Sequence, residues 1–108
     1  MVIKKDILEA AKTLNALFKE GDDKRDAGLP HDIPEVERFD DIAYGSKEKW
    51  NLLDIYLPKK RTGKVPTIIN IHGGGWVYGT KETYQFFGLS LAKEGFAFVN
   101  FNYQLAPA

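Results

Sequence analysis

Residues 65–79 read Val-Pro-Thr-Ile-Ile-Asn-Ile-His-Gly-Gly-Gly-Trp-Val-Tyr-Gly, and the change of character half-way along this stretch decides the fold. Val65 to Ile71 is almost continuously apolar, and its β-branched residues (Val65, Thr67, Ile68, Ile69, Ile71) predict a strand buried on both faces. Three consecutive glycines then remove every Cβ at the carboxyl end of that strand, so the backbone can approach a ligand closely. Thr80 is placed to cap a helix running to about Lys93, with Tyr84, Phe87 and Leu91 on one face and Gly95 as its terminator. Phe96 to Tyr103 predicts another strand. Strand, loop, helix and strand make one βαβ unit with an expected right-handed crossover, and the fold class is α/β.

Upstream, Val36 to Tyr44 and Trp50 to Leu57 predict two strands of a hairpin, joined through Gly45-Ser46-Lys47 and closed by Pro58. Before the hairpin, Ile3, Ile7, Ala10, Leu14 and Leu17 recur at three- and four-residue steps and predict a helix with one apolar stripe, facing a core or a partner. Gly21 and the charged run Asp22 to Asp26 are expected to stop it. Gly28, Pro30 and Pro34 mark an irregular connector. The expected division is therefore an entry segment over residues 1–35 and a folded core over residues 36–108.

The whole chain has 108 residues, with 15 basic and 15 acidic side chains, and is 44% hydrophobic and 28% charged, which is the make-up of a soluble globular chain. A formal charge of zero argues against nucleic acid or anionic lipid as a partner, since both are held by excess Lys and Arg. The absence of cysteine excludes disulfide scaffolds, thiolate zinc sites and cysteine nucleophiles, and two histidines are too few for a multi-histidine metal cage. No metal or cofactor is expected. Charges at Lys4, Lys5, Asp6, Glu9 and Lys12 break up the N-terminal stretch, so it lacks a signal-peptide core and the expected location is the cytoplasm.

At the carboxyl end of a strand in an α/β sheet, a glycine loop can cradle a phosphate or stabilise the oxyanion of a tetrahedral acyl-transfer intermediate. The dinucleotide pattern fits poorly: Gly73, Gly75 and Gly79 are spaced G-x-G-x-x-x-G, and Asn100 and Asn102 stand where an acidic residue should bind ribose. No Gly-Lys-Ser/Thr triplet forms a Walker A loop. Ser90, in Gly88-Leu89-Ser90-Leu91-Ala92, mimics half of a nucleophile elbow but falls mid-helix, where a small residue packing against the sheet is expected. His31 reads as a surface histidine of the connector, and Asp54 as a strand residue away from the loop.

His72-Gly73-Gly74-Gly75-Trp76, with Gly79 shortly after, resembles the HGGG motif of the hormone-sensitive-lipase-like esterases of the α/β-hydrolase superfamily. Asn102-Tyr103-Gln104-Leu105-Ala106-Pro107 is similar to that group's D-Y-R-L-A-P-E segment, with Asn102 and Gln104 replacing Asp and Arg. Asp54-Ile55-Tyr56-Leu57-Pro58 resembles its D-x-Y-x-P strand ending. The resemblance covers residues 36–108 and implies the N-terminal part of an α/β-hydrolase fold. It implies that the backbone N–H groups of Gly74 and Gly75 belong to an oxyanion hole, that Gly73 supplies the turn, and that His72 orients the loop. Trp76 and Tyr78 would line the acyl or alcohol pocket, or pack the loop on its own helix.

A hydrolase of this kind carries its serine in G-x-S-x-G, followed by an acid and a histidine, and these 108 residues contain no G-x-S-x-G. The expectation is the N-terminal portion of a serine carboxylesterase or lipase acting on a small ester, inactive alone. The alternative is a non-catalytic small-molecule-binding protein on the same scaffold. In the superfamily's sheet order a later strand covers Thr67–Ile71, so in this chain that strand should be an open apolar edge. Pairing with another copy, or with a completing segment, is then expected.

Overall fold

A computed structural model describes residues 2–106, with side chains from Lys5 onward. Three residues named above fall outside this description, the side chains of Ile3 and Lys4 and all of Pro107. Helix α1 (Val2–Asp26) leads to the hairpin strands β1 (Val36–Ala43) and β2 (Leu52–Pro58). Strand β3 (Thr67–Ile71), helix α2 (Gln85–Lys93) and strand β4 (Ala97–Phe101) follow. The strands form one sheet in the order β1-β2-β4-β3, antiparallel from β1 to β4 and parallel between β4 and β3. The hairpin and the βαβ unit are thus both present, and a short 3-10 turn over Glu48–Asn51 leads into β2.

Register explains where the core sits. Tyr56 lies opposite Phe98, and Phe98 opposite Ile68, so all three share the face on which α2 packs with Leu89 and Ala92. Val36, Tyr56, Leu89, Ala92 and Phe98 form the buried centre. Gly88 brings α2 close, because a Cβ there would stand 2.5 Å from the Phe98 ring. Ser90 is mid-helix as expected but does not pack on the sheet. It is exposed and donates a 3.0 Å hydrogen bond to the Phe86 carbonyl one turn back.

Three expectations need correction. First, β3 is not buried on both faces: it is the outermost strand, and Ile69 and Ile71 are 65% and 68% exposed. Its β-branched run suits a central strand, yet in this chain α2 covers one face only and β4 one edge only. Second, α1 does not stop at Gly21. The charged run continues the helix, because Lys19–Asp23, Glu20–Lys24 and Asp22–Arg25 fall at helical spacing and form ion pairs on its surface. Third, the stripe of Ile7, Leu14 and Leu17 faces outward, while Ala11, Asn15, Asp22 and Asp26 turn toward the body. Polar partners in the glycine loop dock the helix, and among the described residues no apolar surface stands opposite the stripe.

The helix predicted from Thr80 begins one turn late. Thr80 caps a 3-10 turn over Lys81–Tyr84, accepting from the Glu82 N–H at 3.3 Å while its own N–H donates to Thr83 Oγ1 at 3.0 Å. Among the described residues no helix is long and apolar enough to cross a membrane.

Candidate active site

The glycine loop leaves the sheet at His72. This side chain is only 3% exposed, and its ring stacks on Tyr103 with centroids 4.2 Å apart. His72 Nδ1 lies 2.9 Å from the Gly73 carbonyl, which can only accept, so Nδ1 carries the proton. Nε2 is then a buried acceptor with no partner among the described residues. The Tyr103 hydroxyl donates to the His72 carbonyl, gripping the backbone as well as the ring. A histidine enclosed in this way sets the direction in which the chain leaves the sheet.

The loop folds back on itself. Val77 and Tyr78 both donate their N–H groups to the Gly74 carbonyl, at 3.3 and 3.1 Å. Gly74 has φ +136°, and a Cβ there would stand 1.9 Å from the Tyr78 carbonyl oxygen. Gly79 closes the loop against its start, where a Cβ would stand 2.4 Å from His72 Nδ1. Both positions therefore require glycine, for close approach as much as for dihedral angle. Trp76 adopts φ +68°, a region bulky residues seldom occupy, and is 72% exposed. Among the described residues no hydrogen bond takes up the N–H groups of Gly73, Gly74, Gly75 or Trp76. Consecutive backbone donors thus stand open at the carboxyl end of β3, an arrangement suited to an anionic oxygen.

The second motif clamps the first. Ala106 donates its N–H to the Trp76 carbonyl at 2.7 Å, and the Trp76 and Tyr103 rings meet edge to face at 6.3 Å. Asn102 Oδ1 accepts from the Lys81 N–H at 2.6 Å, while Asn102 Nδ2 donates to the Lys49 carbonyl at 2.7 Å. An aspartate could make the first bond but not the second, which gives asparagine a reason here. Gln104 Oε1 accepts from Lys47 Nζ at 2.8 Å, so it ties the same segment to the hairpin.

A BD-FAE family model matches residues 53–108, more than half of the chain. The chain belongs to the BD-FAE family. Similar proteins include a kynurenine formamidase of Danio rerio, 36% identical over 67 residues, which are 62% of this chain and 22% of that protein. Isoprenylcysteine alpha-carbonyl methylesterase ICME of Arabidopsis thaliana is 32% identical over 66 residues, 61% of this chain and 15% of that protein. Among solved structures, esterase B from Lactobacillus rhamnosis superposes with a TM-score of 0.85 at 30% identity, covering 95% of this chain and 34% of that one. A bacterial heroin esterase superposes with a TM-score of 0.61 at 30% identity, covering 95% and 31%. This BD-FAE chain therefore has the fold of the N-terminal part of an α/β-hydrolase esterase, and spans about a third of those structures.

Helix α1 of this BD-FAE chain grips the far side of the loop. Asn15 Nδ2 donates to the Val77 carbonyl at 3.1 Å, the Tyr78 hydroxyl donates to Asp22 Oδ2 at 2.7 Å, and the Phe18 and Tyr78 rings lie 5.5 Å apart. Burial first, and then the Asp22 carboxylate, push the Tyr78 phenol well above its usual range. Between α1 and the body runs a cleft of about 740 Å³ walled by Asn15, Asp26, Tyr78, Phe86 and Asn102. Tyr78 lines this cleft, whereas Trp76 and the three consecutive glycines do not. His31 sits on its rim, against Phe86 and Gln85, away from the glycine donors.

Lys81 was not singled out in the sequence, and Asp54, expected only as a strand residue away from the loop, is its buried partner. Asp54 is 1% exposed and Lys81 4%, and their side chains pair at 2.9 Å. Lys81 Nζ also meets Asp41 Oδ1 at 2.8 Å and Glu82 Oε1 at 3.0 Å. Burial would lower the lysine, but the Asp41, Asp54 and Glu82 carboxylates outweigh it and hold Lys81 above its usual value. Asp54 is raised, because burial outweighs its bonds from the Asp41 N–H and Lys81. A signal was present: Asp54 alternates with Tyr56 on the inward face of β2, and a charge facing inward requires a partner. Among the described residues no cluster of His, Asp and Glu is arranged to hold a metal ion.

Proposed function

We infer that this chain supplies the oxyanion-binding part of a serine-dependent carboxylic ester hydrolase working in the cytoplasm. The observation that carries this reading is the row of unengaged N–H groups at Gly74 and Gly75, held by the His72–Tyr103 stack and the Trp76–Ala106 bond. Backbone donors fixed before the reaction act on charge that develops only in the transition state, and each is worth about 3–4 kcal/mol in acyl transfer. His72 orients the loop in this scheme and does not act as the base, since Gly73 and Tyr103 already hold it. Exposed Trp76 stands beside the donors and would meet the acyl or alcohol group, while Tyr78 serves the α1 contact. The names of the similar proteins, esterase, methylesterase and formamidase, favour a small carbonyl substrate.

The nucleophile, its acid and its histidine come, on this reading, from residues beyond these 108. The open edge of β3, with Ile69 and Ile71 beside it, would be where further strands or a second copy pair. Release of p-nitrophenol from p-nitrophenyl butyrate by the full-length polypeptide carrying this chain tests the reading. Hydrolysis blocked by a serine-directed phosphonate is expected. Saturable ester binding without turnover would show a binding protein on the same scaffold instead.

A further inference from the structure

We propose that Lys81, through its buried ion pair with Asp54, is a positioning residue that holds the trailing end of the glycine loop in one place. The catalytic consequence rests on the ester-hydrolase reading above; the structural one does not. The loop begins at His72 and ends at Gly79, and these two residues are in contact. Whatever fixes one end therefore constrains the other, and with it Gly74 and Gly75 between them. Tyr103 fixes the leading end. Lys81, two residues after Gly79, fixes the trailing one.

Its hold is threefold. The Lys81 N–H donates to Asn102 Oδ1 at 2.6 Å, which joins it to the segment after β4. Its ammonium group reaches Asp54 on β2 and Asp41 on β1, so two further strands are tied to the same point. Glu82 takes the third ammonium hydrogen at 3.0 Å. The Asp54 carboxylate is itself held by the Asp41 N–H at 2.9 Å, while Arg38 lies 3.9 Å from its other oxygen.

Two features argue for geometry over mere stability. A buried ion pair contributes little net stability compared with an apolar pair of the same volume, because both charges must leave water. Asp54 and Lys81 are nevertheless buried as a pair, with Lys81 two residues beyond the end of the loop. The hairpin is also deformed to serve them. The β1–β2 register shifts between Phe39 and Ile42, and Asp41 in that bulge takes φ +57°, a strained angle for a residue with a side chain. The bulge aims the Asp41 N–H at Asp54 and its carboxylate at Lys81.

The test compares wild type with the double variant Asp54→Asn plus Lys81→Met in the full-length polypeptide. The double variant leaves no buried charge unpaired, since Asp41 and Glu82 are exposed and Arg38 keeps Asp40, and Asn can still accept from the Asp41 N–H. It is expected to fold, with amide hydrogen exchange across residues 73–79 faster by about ten-fold or more. For p-nitrophenyl butyrate, kcat should fall about ten- to hundred-fold with KM little changed, because misplaced donors cost transition-state stabilisation. Lys81→Arg, which keeps the charge, should recover part of the exchange protection. A double variant with wild-type exchange in the loop overturns the proposal, and so does one that cannot fold, since the pair would then serve stability. If wild type hydrolyses no ester, the functional reading fails while the exchange experiment still decides the role of Lys81.

Discussion

Gly74→Ala should damage the loop severely, whereas Gly73→Ala one residue earlier should be nearly silent for stability. At Gly74 a Cβ would lie 1.9 Å from the Tyr78 oxygen and 2.6 Å from its carbonyl carbon. Both atoms are backbone, so no rotamer change relieves the contact. Relief requires residues 74–78 to open, which breaks the two bonds from Val77 and Tyr78 to the Gly74 carbonyl. Each bond contributes about 1 kcal/mol, and holding alanine at φ +136° adds roughly 1–3 kcal/mol. The expected loss is about 3–5 kcal/mol, or a fall in melting temperature of roughly 10–20 °C for a domain of this size. At Gly73 an added Cβ meets nothing within 4 Å, and the backbone is outside the left-handed region. Stability there should stay within about 1 kcal/mol of wild type, with alanine favoured through the unfolded chain. Urea unfolding followed by circular dichroism measures both variants. Equal losses at the two positions would refute the geometry described for the loop.

Alkaline pH should weaken the fold through Tyr56. Burial pushes this phenol from the usual 10.0 up to about 12, and its hydroxyl lies against the Asn100 amide without a bond of normal geometry. The folded state therefore favours the neutral phenol. That contribution is complete below pH 10 and is lost as pH rises toward 12, amounting to roughly 3 kcal/mol in full. Unfolding free energies measured from pH 8 to 11.5 should decline beyond pH 10, and Tyr56→Phe should reduce the decline; an unchanged slope in that variant would contradict the assignment. The 108-residue chain should elute from a sizing column above its 12.2 kDa mass through pairing at β3, and Ile69→Lys with Ile71→Lys should return it toward monomer. A monomer of wild type at every concentration would exclude that pairing.

Much of the candidate site was legible because its signals are local. The loss of side chains at Gly73–Gly75, the β-branched run before them and the capping threonine after them lie within sixteen residues of one another. Helix α1 was legible as a helix but not in its extent or its facing. Gly21 weakens a helix by only about 1 kcal/mol, and the pairs Lys19–Asp23 and Asp22–Arg25 carry it through. Which side of it meets the body depends on Tyr78 and Val77, more than fifty residues away.

Residue types and their order, taken alone, determined the α/β class, the hairpin followed by a βαβ unit, and the place where backbone donors would cluster. These follow from periodicity and from the absence of Cβ atoms, which need no knowledge of distant neighbours. Only the tertiary structure decided which face of α1 meets the body, that Tyr103 grips His72, and that Asp54 and Lys81 meet in the interior. Such facts depend on strand order and on a bulge in β1. An aspartate and a lysine twenty-seven positions apart reveal nothing of each other until the sheet brings them within 2.9 Å.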